Sequence, residues 1–331
     1  MVQGQRGAFY NTLIELSPHW DHIDVITTNV SGASRHTVLD NINLYCSDYV
    51  KYFHPYFILQ KGSELFYKRP YDLIVSHDYG WFLNGIGAKL LSAKIGIPFV
   101  SEIHHVDGYP RAANIREKIQ PLITKFYVKY VMSDVAGFRI TNSIQLKPLL
   151  QNWGVPQDKI LLLHSMYLDF DIFKPIPAMK EYDAIFVGRM TANKGLKLFL
   201  ESISKAVLCK DNMRVLVIGS GPLLAKLKNR INTLGLTDNI ECIDWLSNSS
   251  DLANYYRKAR CLVCTSYSEG GPRVVFEALA CGVPVITTPV GLGSEIVRDG
   301  SNGFVVNWSS DLIAERLLKI VSDDSLQESM A

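Results

Sequence analysis

Between residues 183 and 288 the chain alternates two kinds of segment. Short, β-branched and almost wholly apolar runs are DAIFVG (183–188), RVLVIG (214–219), NIECID (239–244), RCLVCTS (260–266) and VPVITT (283–288). Longer amphipathic stretches separate them, among them KGLKLFLESISKAVL, PLLAKLKNRINTLGL and SDLANYYRKA. A strand that is apolar on both sides must be covered on both sides, and its alternation with helices implies a parallel sheet. The first half repeats the theme with DVITT, DLIVSH, PFVSEIHH, VAGFRITNS and KILLLHS. The expected architecture is therefore α/β, with two doubly wound parallel-sheet domains in tandem. Their boundary falls near FKPIP (173–177), where two prolines interrupt the periodicity. Ligands of open parallel sheets bind beyond the carboxyl ends of the strands, so two such domains would place their chemistry in a cleft between them.

Composition narrows the function classes. A chain of 331 residues that is 47% hydrophobic can bury two ordinary cores. A net charge of +2 lacks the concentrated basic footprint of a nucleic-acid binder. There is no apolar run of about 18 residues to span a membrane, and MVQGQRGAFYN has no signal-peptide core. Cys261 and Cys264 form a C-x-x-C, but it lies within a strand-like run and has no second ligand pair. Buried strand residues in a reducing cytosol explain the pair better than zinc or a disulfide.

Three stretches carry candidate chemistry. VGRMTANKG (187–195) follows a strand and opens a helix, so Arg189 and Lys194 suit a diphosphate: a guanidinium fork, a point charge and a helix dipole. A solvated basic loop is the competing reading. IGSGP (218–222) resembles half of a dinucleotide fingerprint, but it lacks the third glycine, and Pro222 starts a helix well. SEGGPRVVFEALACGVPV (268–285) sets Glu269 and Glu277 eight positions apart around Gly270, Gly271 and Pro272. That span is about 12 Å if helical throughout, against the roughly 5–9.5 Å of glycosidase carboxyl pairs. The spacing favours gripping two ends of one extended ligand, with the glycine amides on a phosphate between them. Two solvated helix glutamates are the alternative, although Glu277 in so apolar a run needs a partner. In the first half, SEIHHVDG (101–108) puts His104 and His105 at a strand end, and alternation sends them to opposite sides.

With Arg189, Lys194, Glu269 and Glu277 in this order, the sequence resembles the family 4 glycosyltransferases, which are retaining enzymes of the GT-B fold. The resemblance covers nearly the whole chain and is strongest from VGRMTANKG through SEGGPRVVFEALACGVPVITTPVGLGSEIVRDGSNGFVV. It implies two Rossmann-like domains facing a central cleft, an acceptor-side domain over 1–174 and a nucleotide-sugar-binding domain over 175–331. The chain opens on a loop and helix with no preceding strand, and the family's closing helices are not found, so both ends are expected to be cut short. Arg189 and Lys194 are then implied for the donor diphosphate and Glu277 for the ribose hydroxyls. Glu269 is implied beside the transferred sugar, aided by the backbone of Gly270, Gly271, Pro272, Arg273 and Val274, in which every residue but Pro272 has an N–H to offer. His104, counted from Pro98 in the family's P-x-V-x-x-x-H pattern, contacts the sugar and supports the developing charge. Of the N-terminal glycine pair only Gly4 carries over. The interdomain stretch SMYLDFDIF (165–173) keeps Asp169 and Phe173 but loses Asn-Gly.

The implied reaction moves a sugar from a nucleotide-sugar donor to a sugar, lipid-linked or polysaccharide acceptor with no metal, no other cofactor and no nucleic acid. A non-catalytic sugar-nucleotide-binding homologue or subunit, or a GT-B-type epimerase, are the alternatives. The expected location is cytoplasmic. Arg111, Lys118, Lys125 and Lys129 beside Ile119, Leu122, Phe126 and Tyr130 read as the solvated face of a domain helix or, alternatively, as a peripheral contact with the inner membrane face.

Overall fold

The computed structural model describes residues 8–28, 35–164, 168–246 and 248–331. The chain divides into two compact units, one of Met1–His104, Leu122–Ile140 and Leu149–Tyr167, the other of His105–Pro121, Thr141–Pro148 and Leu168–Ala331.

The first unit holds two sheets. β1 (Ile23–Thr27), β2 (Arg35–Leu39) and β3 (Ile42–Cys46) form a three-stranded sheet in the order β1-β3-β2. β1 pairs parallel to β3, whereas β2 folds back antiparallel onto it. β4 (Ile74–His77), β5 (Phe99–Ile103), β6 (Gly137–Ile140) and β7 (Ile160–Leu162) form a parallel sheet in sequence order. All five strand-like runs read in the first half are strands here. β2 and β3 were not among them, because RHTVLDNINLYC mixes polar and apolar residues without a continuous apolar run.

The second unit has a six-stranded all-parallel sheet. Its strands are β8 (Ala184–Val187), β9 (Val215–Ile218), β10 (Ile240–Ile243), β11 (Leu262–Cys264), β12 (Val285–Thr287) and β13 (Gly303–Val305). Counted within the unit, the order β10-β9-β8-β11-β12-β13 is 3-2-1-4-5-6, that of a dinucleotide-binding doubly wound sheet. Alternation along the strands feeds two separate cores. Ala184, Phe186, Val215, Val217 and Val263 pack on one face, and Ile185, Val187, Leu216, Ile218 and Leu262 on the other. The helix Leu196–Val207 covers the first face with Leu196, Phe199, Leu200, Ile203 and Ala206, while Lys197 and Glu201 point outward. Burying each such aliphatic or aromatic side chain is worth roughly 1.5–3 kcal/mol. The C-x-x-C cysteines are free and buried, Cys261 in one core and Cys264 in the other. Three residues apart on a strand, they face opposite sides.

Within the first unit a buried carboxyl ties β4 to β5 and to the helix Ile115–Val131. Asp78 Oδ2 accepts hydrogen bonds from Ser76 Oγ (2.7 Å), Ser101 Oγ (2.5 Å) and Tyr127 Oη (2.7 Å). Burial outweighs these donors and lifts the Asp78 carboxyl to about 6. The native state thus keeps a proton that the unfolded chain releases near pH 3.9. Stability contributed by Asp78 should therefore fall as pH rises from about 4 through about 6 and be level above. Thermal unfolding of wild type and Asp78→Asn across that range measures this. The wild-type advantage should be largest at the acid end, and a difference independent of pH would contradict it.

Candidate active site

In the second unit the strand order reverses between β8 and β11, so the loops leaving their carboxyl ends diverge and leave a crevice. The two basic and acidic motifs of the sequence lie in those loops. The β8 loop turns through Ala192–Lys194 into Gly195, whose φ of +66° caps the following helix. A Cβ at Gly195 would lie 2.0 Å from the Thr265 carbonyl oxygen, so only glycine permits the approach. Further bonds stitch the loops. Thr265 Oγ1 donates to the Lys194 carbonyl (3.0 Å), Tyr267 N–H to the Asn193 carbonyl (2.7 Å), and Asn193 Nδ2 to the Ser268 carbonyl (3.3 Å). This frame brings the Lys194 ammonium onto the Glu269 carboxylate as an ion pair, with Ser266 Oγ donating to the same oxygen from 3.2 Å. Arg189, two residues beyond β8, is exposed.

The glycines of IGSGP serve backbone packing. A Cβ at Gly219 would fall 1.9 Å from the Gly188 carbonyl oxygen, and one at Gly221 would fall 2.8 Å from Met190 backbone. Met190 N–H donates to the Ser220 carbonyl (2.8 Å) and Leu223 N–H to the Met190 carbonyl (3.0 Å). The β9 loop thereby buttresses the β8 loop that carries Arg189.

After β11, Gly270 and Gly271 lead to Pro272, which precedes the helix Arg273–Ala280. No side chain caps this helix start, which leaves the first-turn amides of Arg273 and Val274 to other partners. The Gly270 carbonyl is held by Leu292 N–H (2.9 Å) and Asn142 Nδ2 (3.3 Å). Glu277 is 5% exposed and has the partners its apolar setting requires. Tyr256 Oη donates to Oε2 (3.0 Å), and Arg273 Nε lies 2.9 Å from Oε1. Burial raises the Glu277 carboxyl above the usual range, and Arg273 and Tyr256 pull it part of the way back. The two glutamates are thus held by different groups, Glu269 by Lys194 and Glu277 by Arg273 and Tyr256. The Arg273 side chain is engaged with Glu277, and its amide sits at the helix start.

His104 and His105 part as alternation requires. In the first unit His104 Nε2 lies 3.6 Å from Glu102 Oε2. His105, in the second unit, lies with Nε2 2.9 Å from Asp107 Oδ1. Burial disfavours its charged form, but Asp107 and Glu269 outweigh burial and Arg189 and raise the His105 pKa above that of free imidazole. The family pattern counted from Pro98 singled out His104, whereas strand alternation alone left the two histidines open. The aspartate two residues after His105 was the signal that a second ionisable pair lay beside it. Arg111 also departs from expectation. It precedes the helix Ile115–Val131 and stacks 5.4 Å from the rings of Tyr267 and Trp308, off the basic stripe. Gly4 lies outside the described residues.

Residues 169–331 match the family model of glycosyl transferases group 1. An uncharacterized glycosyltransferase of Methanocaldococcus jannaschii is 28% identical over 276 residues, 81% of this chain and 71% of that protein. Sucrose-phosphate synthase from Thermosynechococcus elongatus superimposes with a TM-score of 0.77 at 19% identity, covering 95% of this chain and 83% of that one. HepE from Anabaena, solved in complex with UDP and glucose, gives 0.74 at 16% identity, covering 99% and 90%. These structures share the GT-B glycosyltransferase fold, and the likeness identifies the fold of this chain.

The contact between the β8 and β11 loops can be tested by two matched glycines. Gly235 has nearly the same φ as Gly195, +67° against +66°, but a Cβ there meets nothing within 4 Å. Gly235→Ala should cost only the left-handed backbone penalty, about 1–2 kcal/mol. Gly195→Ala adds a collision with backbone and should cost clearly more in denaturant unfolding. Equal losses would show that the loops yield and that the stitching is soft.

Proposed function

Because residues 169–331 match the family model of glycosyl transferases group 1, we propose that the chain is a glycosyltransferase that takes a sugar from a nucleotide-sugar donor and transfers it with retention and without a metal. The observation that carries this reading is the junction of the β8 and β11 loops. Lys194, Glu269 and an uncapped helix start meet there at the reversal of strand order. Arg189 and Lys194 would neutralise the donor diphosphate, with the N–H groups of Gly270, Gly271, Arg273 and Val274 completing the cradle. Glu277, preset by Tyr256 and Arg273, would take the ribose hydroxyls. Glu269 and His104 would hold the transferred sugar.

In this mechanism the acceptor hydroxyl attacks the anomeric carbon from the face the diphosphate leaves. The new C–O bond forms as the bond to the phosphate oxygen breaks, and that oxygen takes the hydroxyl proton. No carboxylate acts as nucleophile, and the lysine and arginine carry the charge that a metal would otherwise offset. The Lys194–Glu269 ion pair gives the lysine a second task, because the sugar contact and the diphosphate contact share one ammonium.

The acceptor is a sugar, a polysaccharide or a lipid-linked glycan, and the helix Ile115–Val131 favours the last. Ile115, Ile119, Leu122, Phe126 and Tyr130 share one stripe and are all exposed, Ile115 by 78% and Phe126 by 66%. Lys118, Lys125 and Lys129 accompany them. Such a face suits the surface of an anionic membrane on the cytoplasmic side. No described helix is long and apolar enough to cross a membrane. Flotation with anionic vesicles should recover the protein, and Phe126→Asp should reduce recovery. Equal flotation of the variant, or none of the wild type, removes the membrane contact.

Arg189→Ala and Lys194→Ala should each weaken nucleoside-diphosphate binding by about 1.5–3 kcal/mol. Calorimetry showing unchanged affinity in both would remove the diphosphate assignment. Transfer should survive EDTA, and loss restored by manganese or magnesium would contradict the metal-free mechanism. Glu277→Gln should mainly raise the donor KM, and Glu269→Gln should mainly lower kcat. Lys194→Ala combined with Glu269→Gln should be less than additive, since either change breaks the same pair. A trapped glycosyl adduct on Glu269 would overturn the mechanism.

A further inference from the structure

β4 and β5 run parallel with His77 directly opposite Glu102. The period of two then places His104 on the side of Glu102, one residue past the end of β5. The result is two imidazoles and one carboxylate at neighbouring strand ends of the first unit. His77 Nδ1 lies 2.7 Å and His104 Nε2 3.6 Å from the same oxygen, Glu102 Oε2. All three candidate ligand atoms lie within 4.8 Å of one another. The two rings meet edge to face with centroids 5.3 Å apart. Arg139 takes the other carboxylate oxygen, Oε1, as an ion pair.

We propose that His77, Glu102 and His104 form a three-ligand site for a divalent transition metal, with zinc as the best match. Two imidazoles with one carboxylate suit zinc, cobalt or iron, whereas magnesium and calcium favour sites built of oxygen. A tetrahedral ion with bonds of about 2.0–2.2 Å needs its ligand atoms about 3.3 Å apart. Two of the three separations, 2.7 and 3.6 Å, bracket that spacing and the third lies within 4.8 Å, so modest side-chain shifts admit the ion. Arg139 does what an outer partner of a metal ligand does: it occupies one oxygen and aims the other at the imidazoles. The carboxylate is 4% exposed and His104 Nε2 is buried beside it, while the His77 and His104 side chains as a whole are 40% and 36% exposed, so the rings border solvent. The metal is not required for transfer. On the reading that His104 contacts the donor sugar, zinc withdraws that histidine and inhibits the enzyme reversibly.

The test titrates zinc into the purified full chain by calorimetry and cobalt by visible absorption. A Cys209→Ser background is used because that exposed thiol competes for the ion. One equivalent should bind with proton release and a cobalt ligand-field band. His77→Ala and Glu102→Gln should each weaken binding by at least the roughly 10–100-fold that loss of an outer partner costs. Absence of binding, or equal binding by both variants, would reduce the cluster to a hydrogen-bonded network and overturn the proposal. If Glu102→Gln fails to fold with Arg139 unpaired, His77→Ala decides alone, since its side chain is partly exposed. Zinc inhibition reversed by EDTA in the wild type and absent in His77→Ala supports the site and the role of His104 together. Binding without inhibition supports the site and removes His104 from the donor.

Discussion

The contact between the loops after β8 and β11 organises the second unit. It exists because the strand order reverses between those two strands, so the loops diverge from adjacent positions and then fold toward each other. Gly195 lets the backbone pass the Thr265 carbonyl, and three hydrogen bonds hold the loops in that position. Lys194 and Glu269, remote in sequence, become an ion pair only through this frame. A ligand placed there would meet a cation, an anion and an uncapped helix start held in one hydrogen-bonded junction. Such a junction restrains its charged groups before a ligand arrives, which is what electrostatic preorganisation requires.

Glycine serves this architecture through close approach more than through flexibility. Gly219 and Gly221 leave room for Gly188 and Met190, so the β9 loop braces the β8 loop. Gly291, with φ of +50°, stands where a Cβ would meet the Gly270 carbonyl at 2.3 Å. In the sequence Gly219 and Gly221 read as half of a dinucleotide fingerprint. The work of all three glycines is one shell further out, holding the loops that carry Arg189 and Glu269.

Three buried carboxyls are each answered by named partners. Glu277 has Tyr256 and Arg273, Asp78 has three hydroxyl donors, and Glu102 has Arg139 with two imidazoles. Where only neutral donors answer a carboxyl, as at Asp78 with three hydroxyls and the Gly85 backbone, burial still wins and the proton is held more tightly than in water. Where a guanidinium and imidazoles answer it, as at Glu102, the carboxyl is held below its ordinary range even though burial opposes this.

The alternation of apolar runs with amphipathic segments determined by itself the α/β class, the parallel sheets and ten of the thirteen strands among the described residues. Hydrophobic periodicity is a local property, and a strand buried on both faces writes it plainly. β2 and β3 escaped because a half-polar antiparallel pair leaves no continuous apolar run, and β13 because GFV is too short to show a period. The sequence also pointed to Arg189, Lys194 and Glu269 through their places after strands, and to Glu277 through its spacing from Glu269 and its apolar surroundings. It could not say which charge answers which. Lys194 pairs with Glu269 across 75 positions and Tyr256 donates to Glu277 across 21, distances over which no spacing rule operates. His77 and Glu102 meet only because β4 and β5 align in one register. Partnership of buried charges is set by sheet order and loop approach, and only the tertiary structure contains those.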